Sequence, residues 1–517
     1  MSKKTKEIKN KLTKIENEKN KKTFNLFFIV FISILAIGFV DRTLQNDTFY
    51  TIKIGKLILD NGIDMLDHFS FHENLLYTYP HWLYDIFIYL VYKVGNFMGL
   101  YISSIILFII LLILIFKTSK KITNNYSISA FATIMCSLAM RSFVTTRAQL
   151  VSFLVFVLQI YFIESFLRNE KKRYLFGLLF LSLILCNIHV AVWPFYFILF
   201  LPYLVEYLIS LIASKIKLKK DNKLIKFLKN KFILEKNSNI KYLFLIMLIS
   251  LLTGLITPIG DTPYTYLIKT MLGNSQSYIE EHQMLSLSNS IFTIIIAIET
   301  IFLSIISKIK LRDFFLILGL VLMSITSIRH LSLLALIGCI CFARLFSIFL
   351  ENFNLNVDDK ILKFFNKKII MIPSLVIIII ISACLTYNHS KEEFVDSTMY
   401  PKDAINFINK EINTKEMRLF NEYNFGSYLL LNNIPVFIDS RADLYTKEFS
   451  GFNYDIFDDY MKIKTTYNYK EKFDFYKITH VLLYKENKFN TILKNDNDYK
   501  ILYEDKYFIF YERTIGS

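Results

Sequence analysis

Five cysteines in 517 residues are few, and all of them (Cys136, Cys186, Cys339, Cys341, Cys384) lie inside apolar segments. That placement excludes a disulfide framework or thiolate metal centre as the organising feature and makes them small core residues. No internal repeat is detectable, which argues against the transporters built from paired, broken helices. No cleavage-like small-residue pattern follows Val40, so the first 22 residues, with nine Lys, read as a cytoplasmic tail leading into a retained helix. Acidic residues are the scarcer charge, 44 Asp and Glu against 60 Lys and Arg, for a net +16. The basic excess sits in short connections between apolar blocks, a distribution that points away from nucleic acid.

What is abundant is apolar. The chain is 54% hydrophobic with 49 Phe and 32 Tyr, and these residues come in unbroken blocks such as 24–40, 101–116, 175–186 and 369–387. A block of roughly 17 to 20 residues makes a helix about 25–30 Å long, the thickness of a bilayer core. Basic connections stay cytoplasmic. Five follow the tail, at 117–121, 168–173, 215–241, 308–312 and 360–368. The chain crosses an even number of times between consecutive basic connections. Blocks 126–140 with 148–167, 174–190 with 193–212, 242–257 with 290–307 and 313–328 with 331–350 meet that requirement. Together with spans at 24–40, 99–116 and 369–387, the register predicts a polytopic α-helical membrane protein of about 11–13 transmembrane helices in the cell membrane. The block 82–94 breaks the parity if it spans, so it is expected to lie in the interface or enter partway. The alternative is a true span there and an error in a shorter one elsewhere.

The predicted organisation is a basic tail at 1–23, a membrane domain at 24–388 with outer loops at 41–98 and 258–290, and an extracytoplasmic α/β domain at 389–517. Span interiors read as nearly charge-free. The polar residues Asp47, Asp67, His68, His81, Arg141, Arg147, Asn187, His189, Glu280, Glu281, His282, Arg329 and His330 all fall on the outer side, opposite the lysine-rich connections. Ionisable groups at a membrane edge are costly unless paired or functional, so their gathering on one face predicts an outward-facing polar site.

In the first outer loop, Phe49, Ile52, Ile54, Leu57 and Ile58 predict a short amphipathic helix over 48–59 lying on the membrane, with Asp47 at its N-cap and Asn61-Gly62 ending it. A carboxylate at the mouth of the bundle suits a general base, or a ligand that holds a divalent cation against a phosphate. The plainer reading of Asp47 is the helix cap itself. Asp67, His68 and His72 lack the rigid helical spacing of a zinc site.

These elements resemble the GT-C superfamily of membrane glycosyltransferases, which use polyprenol-linked sugars and include protein mannosyltransferases and oligosaccharyltransferases. The resemblance rests on Asp47, Gly55, Asp67-His68-Phe69-Ser70 and His81-Trp82-Leu83, then on Arg147-Ala148-Gln149-Leu150, Asn187-Ile188-His189, Thr257-Pro258-Ile259-Gly260 and Arg329-His330. It implies a GT-C-like fold, a polyprenyl-phosphate- or diphosphate-linked sugar donor, membrane lipids as surroundings, and Asp47 as catalytic carboxylate. Under it Arg147, Arg329, His330 and His189 become donor-phosphate candidates, since a guanidinium fork matches phosphate. A structural ion pair, or a helix-packing histidine, is the plainer reading of each. Asp67, Glu280 and Glu281 are secondary acidic candidates, and His81 and Trp82 acceptor candidates. No clean Asp-x-Asp or Glu-x-Asp signature accompanies these motifs, so a cofactor such as Mg or Mn stays open.

Beyond residue 389 the apolar runs shorten to strand length. Helices are expected at 401–410, 426–431 and 489–493, strands at 417–420, 435–438 and 478–484, and a hairpin at 501–511. Asp439, Arg441 and Asp443 follow a predicted strand, a common place for binding groups; Asp439 and Arg441 read either as acceptor-binding residues or as a structural ion pair. Two functions remain: a membrane glycosyltransferase acting on a cell-envelope acceptor at the outer face, or a non-catalytic transporter or envelope-assembly protein with an outer binding domain. The charge-free spans favour the first.

Overall fold

The computed structural model describes residues 3–215, 230–233, 235, 237–273, 291–355, 357–466 and 468–514. Every block expected to span is helical. Among the described residues, six helices are long and apolar enough to cross a membrane: Lys14–Phe39, Trp82–Thr123, Ala148–Asn169, Val190–Ser214, Ile328–Asn352 and Lys368–Ser390. Shorter apolar helices at Arg173–Ile188, Ile240–Leu255 and Ile291–Ile306 fill the bundle, with Tyr126–Met140 and Leu311–Thr326 beside them. The protein is a multi-pass helical membrane protein carrying a small C-terminal sheet domain.

The block 82–94 is the first limb of a bent helix. Asn96 adopts φ 49° and ψ −149°, outside helical geometry, and the chain turns there before running on to Thr123. At 1.5 Å per residue this limb is about 20 Å long, short of the roughly 30 Å needed to span. Leu83, Phe87, Leu90 and Val94 form an exposed stripe on it at helical spacing. Its other face packs on the Asn46–Asn61 helix, at Gly55, where a Cβ would stand 2.0 Å from the Asp85 carbonyl oxygen.

The Asn46–Asn61 helix corrects one expectation. It does not rest an apolar face on the membrane, because Phe49, Ile52, Ile54 and Ile58 are buried against the bent helix and the Tyr423–Leu431 helix of the C-terminal domain. These residues belong to one apolar core that continues through Leu75 and Tyr77 into Phe420, Ile438 and Ile509. Loop and domain fold as a unit around it.

Two short strands, β1 (Phe232–Ile233) and β2 (Ile309–Lys310), pair in parallel beside the basic connections. In the C-terminal domain, β3 (Leu419–Asn421), β4 (His480–Tyr484), β5 (Tyr499–Glu504) and β6 (Phe508–Arg513) form a sheet in the order β3-β4-β6-β5. β3 and β4 run parallel, and the other pairs are antiparallel. The strand expected at 435–438 is absent; Val436 makes only an isolated bridge to Ser70 of the outer loop. The segment is held instead by the Tyr423–Leu431 helix, whose Gly426 lies so close that a Cβ would stand 2.1 Å from the Ile438 carbonyl oxygen.

The expectation of charge-free spans does not hold. Glu164, Glu206, Arg312, Asp313 and Arg344 lie buried among helices near the basic connections. Arg344 bonds Glu164 at 2.6 Å and Asp313 at 2.5 Å, while Arg312 reaches Glu164 at 3.3 Å, Glu206 at 3.1 Å and Glu235 at 2.9 Å. Arg312 and Asp313 open their helix, whereas Glu164, Glu206 and Arg344 lie within blocks expected to span. Packing draws them together, and mutual neutralisation makes their burial tolerable.

Candidate functional site

A cavity of about 990 Å³ opens between the bundle and the C-terminal domain. Asp47, His81, Arg147, His189, Arg329, His330 and Arg441 all line it. Seven residues singled out from separate segments thus share one space.

Asp47 enters from the first turn of the Asn46–Asn61 helix. The N-cap position belongs to Gln45, and no side chain caps it. The Asp47 carboxylate is turned to Arg147, with Oδ2 2.6 Å from Nη2, so the cap reading of this residue fails. Arg147 precedes the Ala148–Asn169 helix in extended conformation. Its loop is tied down by Thr146, whose carbonyl accepts from the Thr48 hydroxyl at 3.2 Å and whose hydroxyl pairs with Ser104 at 3.0 Å. Gln149 then donates to the Ser332 hydroxyl at 3.2 Å, and Ser332 to the Arg329 carbonyl at 3.0 Å. That chain of bonds fixes the Arg329 turn relative to Arg147. Among the described residues Arg329 has no carboxylate partner.

His330 hydrogen-bonds the Met323 carbonyl at 3.0 Å through Nδ1, and His189 bonds the Ser152 hydroxyl at 2.8 Å. The rings of His81 and His189 stand 5.4 Å apart. His81 Nδ1 is enclosed without a hydrogen-bond partner among the described residues. Burial, with Arg147 and Arg329 nearby, pushes the His81 imidazole down to about 3, so it is neutral at physiological pH.

Other expected site residues are placed elsewhere. The Asp67 side chain is fully buried, bonded to Arg441 Nη1 at 2.7 Å and to the Ser70 backbone and hydroxyl at 2.8 and 2.6 Å. Burial pushes its carboxyl up, but Arg441 and Ser70 outweigh that and hold it below the ordinary value. Asp439 is equally buried, grips Arg441 at 2.6 Å and accepts from the Tyr445 hydroxyl at 2.6 Å. Neither carboxylate lines the cavity, because both are spent on Arg441, which locks the outer loop to the C-terminal domain and lies 4.9 Å over the Tyr77 ring. Trp82 is also outside the lining; its Nε1 donates to Asn187 at 3.1 Å, joining two motifs structurally. Glu280 and Glu281 lie outside the described residues. Asp67, His68 and His72 do not converge, since His68 pairs with Asp64 at 2.6 Å and His72 with the Phe437 carbonyl at 2.9 Å. Among the described residues no three His, Cys, Asp or Glu side chains are grouped to hold a metal. The chain's Asp-x-Asp, Asp496-Asn497-Asp498, lies in the C-terminal domain with both carboxylates near Lys470.

Asp443 lines the cavity and accepts from the Tyr266 hydroxyl at 2.6 Å. The alternation Asp439, Arg441, Asp443 was visible in the sequence, but only the fold brings Arg441 and Asp443 to the cavity wall and leaves Asp439 behind it. Tyr423, Asn424, Tyr460 and Lys464 at the domain pole carry no sequence signal beyond aromatic density. The opposite wall is apolar, with Phe153, Phe156, Phe195 and Leu333.

No family model and no curated protein matches this sequence. Solved structures do. The Archaeoglobus fulgidus oligosaccharyltransferase tethered to an acceptor peptide with an NVT sequon aligns with TM-score 0.55 and 10% identity, covering 89% of this chain and 69% of that one. Its apo form gives TM-score 0.56 and 10% identity over 89% and 70%. ArnT from Cupriavidus metallidurans bound to undecaprenyl phosphate gives TM-score 0.53 and 9% identity over 94% and 97%. The chain therefore has the fold of the GT-C membrane glycosyltransferases.

Proposed function

We propose that the protein transfers a sugar from a polyprenyl-phosphate or -diphosphate donor to a cell-envelope acceptor at the outer face, with Asp47 as general base. The observation that carries this reading is the shared cavity: Asp47 and Arg147 in contact at 2.6 Å, Arg329 beside them, an apolar wall on one side and the C-terminal domain on the other. A polyprenyl chain fits the wall of Phe153, Phe156, Phe195 and Leu333, which brings its phosphate toward Arg147 and Arg329. Asp47 accepts the acceptor hydroxyl proton as that oxygen bonds the anomeric carbon. The bond from that carbon to the phosphate oxygen breaks with inversion, and the two guanidinium groups neutralise the departing phosphate. ArnT, which was solved with undecaprenyl phosphate, supports this donor class. A divalent cation would need carboxylates besides Asp47, and sensitivity to chelator reads whether transfer depends on one.

Lipid profiling of a deletion strain tests the reading. One lipid-linked sugar is expected to accumulate, and to disappear on complementation with the wild-type gene but not with Asp47→Asn. An unchanged lipid-linked pool, with a defect in export or assembly instead, overturns it.

A further inference from the structure

Away from the Asp47 cavity, the junction between the bundle and the C-terminal domain forms a second hollow of about 520 Å³, walled by Arg42, Phe97, Ser390, Lys391, Phe394 and Lys402. It lies where the last apolar helix, Lys368–Ser390, gives way to the domain, and where the first helix has just ended. Two acidic residues also border it, and both are engaged. Glu393 pairs with Lys402, and Glu392 faces His389 at 3.3 Å. Arg42 and Lys391 have no carboxylate partner among the described residues.

Arg42 is held in place rather than free in solvent. Its Nη1 donates to the Ser390 carbonyl at 2.9 Å, and its guanidinium lies 4.2 Å over the Phe394 ring. Its Nε is enclosed, with no acceptor among the described residues. An enclosed donor on a charged group is costly unless something accepts from it. Lys391 extends its ammonium 4.4 Å from the Tyr387 ring, and that tyrosine is 64% exposed, the amphipathic placement of a membrane-boundary aromatic. The hollow is continuous with an apolar surface. The rings of Phe97 and Tyr101 are each centred 6.3 Å from that of Phe394, and one position round from them Met98, Ile102, Ile106 and Ile110 make an exposed stripe down the same helix. A hollow holding two cations without carboxylate partners among the described residues, above an apolar stripe, matches an amphiphile with an anionic head. A soluble anion would have no use for the stripe.

We propose that this hollow binds a bilayer phospholipid, with its phosphate held by Arg42 and Lys391 and an acyl chain along Met98, Ile102, Ile106 and Ile110. The strap of residues 390–394 that walls the hollow also bonds to the outer loop, through Leu44 N to the Phe394 carbonyl at 2.9 Å and Thr43 to the Glu393 carbonyl at 3.2 Å. A lipid seated here braces that strap.

The test uses the full-length protein in detergent, titrated with phosphatidylglycerol, with diacylglycerol of the same chains, or with inorganic phosphate. Melting temperature and lipids retained in native mass spectrometry are read. Phosphatidylglycerol is expected to raise the melting temperature, and Arg42→Gln and Lys391→Gln each to weaken its apparent affinity about tenfold. Lys391 is exposed, so its variant carries the test if the Arg42 variant fails to fold. Wild-type affinity in the variants, or an equal response to diacylglycerol, overturns the proposal. Saturation of the same response by inorganic phosphate makes this a soluble-anion site and overturns it too.

Discussion

The Asp47 carboxylate lies 2.6 Å from the Arg147 guanidinium, joining two segments remote in sequence at the wall of one cavity. The pairing is useful where the cation also serves the leaving group, because one arginine then sets the distance between the two reacting ends.

Asp47→Asn keeps a hydrogen-bond partner for Arg147 and removes the base. Transfer is expected to fall by about 10²–10⁴-fold, with helical content and elution volume unchanged. Assay of the purified variant with lipid-linked sugar checks this, and normal turnover would leave Asp47 only the task of holding Arg147.

Arg329→Gln removes a cavity cation that has no carboxylate partner among the described residues. If it serves the donor phosphate, donor binding weakens roughly ten- to hundredfold, the worth of a charge-assisted bond. Thermal stability changes little, since no ion pair among the described residues is broken. A titration of donor against both proteins measures it.

Arg441→Met leaves Asp67 and Asp439 buried without their counter-charge. The expected cost is about 3–5 kcal/mol, read as a lowered melting temperature and faster proteolysis of the loop at 64–80. The wild-type contact is also pH-dependent. Asp67 is held below its ordinary 3.8, so its contribution is complete above that pH and is lost as the pH falls further.

His72 is pushed down by burial to about 4 and His81 to about 3, against an ordinary 6.5. Their folded forms are neutral, so the stability they contribute is complete above pH 6.5 and declines as the pH falls toward those values. Acid melting curves are expected to flatten between pH 6 and 4 in His72→Gln, whose side chain still reaches the Phe437 carbonyl.

Arg344→Met removes the shared partner of Glu164 and Asp313, far along the chain from Asp47. The expected loss is again about 3–5 kcal/mol, seen in detergent melting, while donor affinity in the surviving folded fraction stays at the wild-type value.

Much was legible before any coordinates. Asp47, Arg147, His189, Arg329 and His330 were identifiable because the lysine-rich connections sort the loops by side and place all five on the outer one. Asp67, Asp439 and Arg441 looked equally functional. Their mutual burial is a contact between segments far apart in the chain, and nothing in the local pattern of either segment reveals it. The ionic cluster of Glu164, Arg312 and Arg344 is hidden in the same way: each is a lone charge in or beside an apolar block, and only packing brings them together.

By itself the sequence determined the medium and the helices, since hydrophobic run length and loop charge act through the solvent and need no partner. The tertiary structure decided which polar groups meet. Close contact between residues such as Asp47 and Arg147 depends on helix crossings, on the kink at Asn96 and on the tight fit at Gly55, and these are set only when all the elements pack at once.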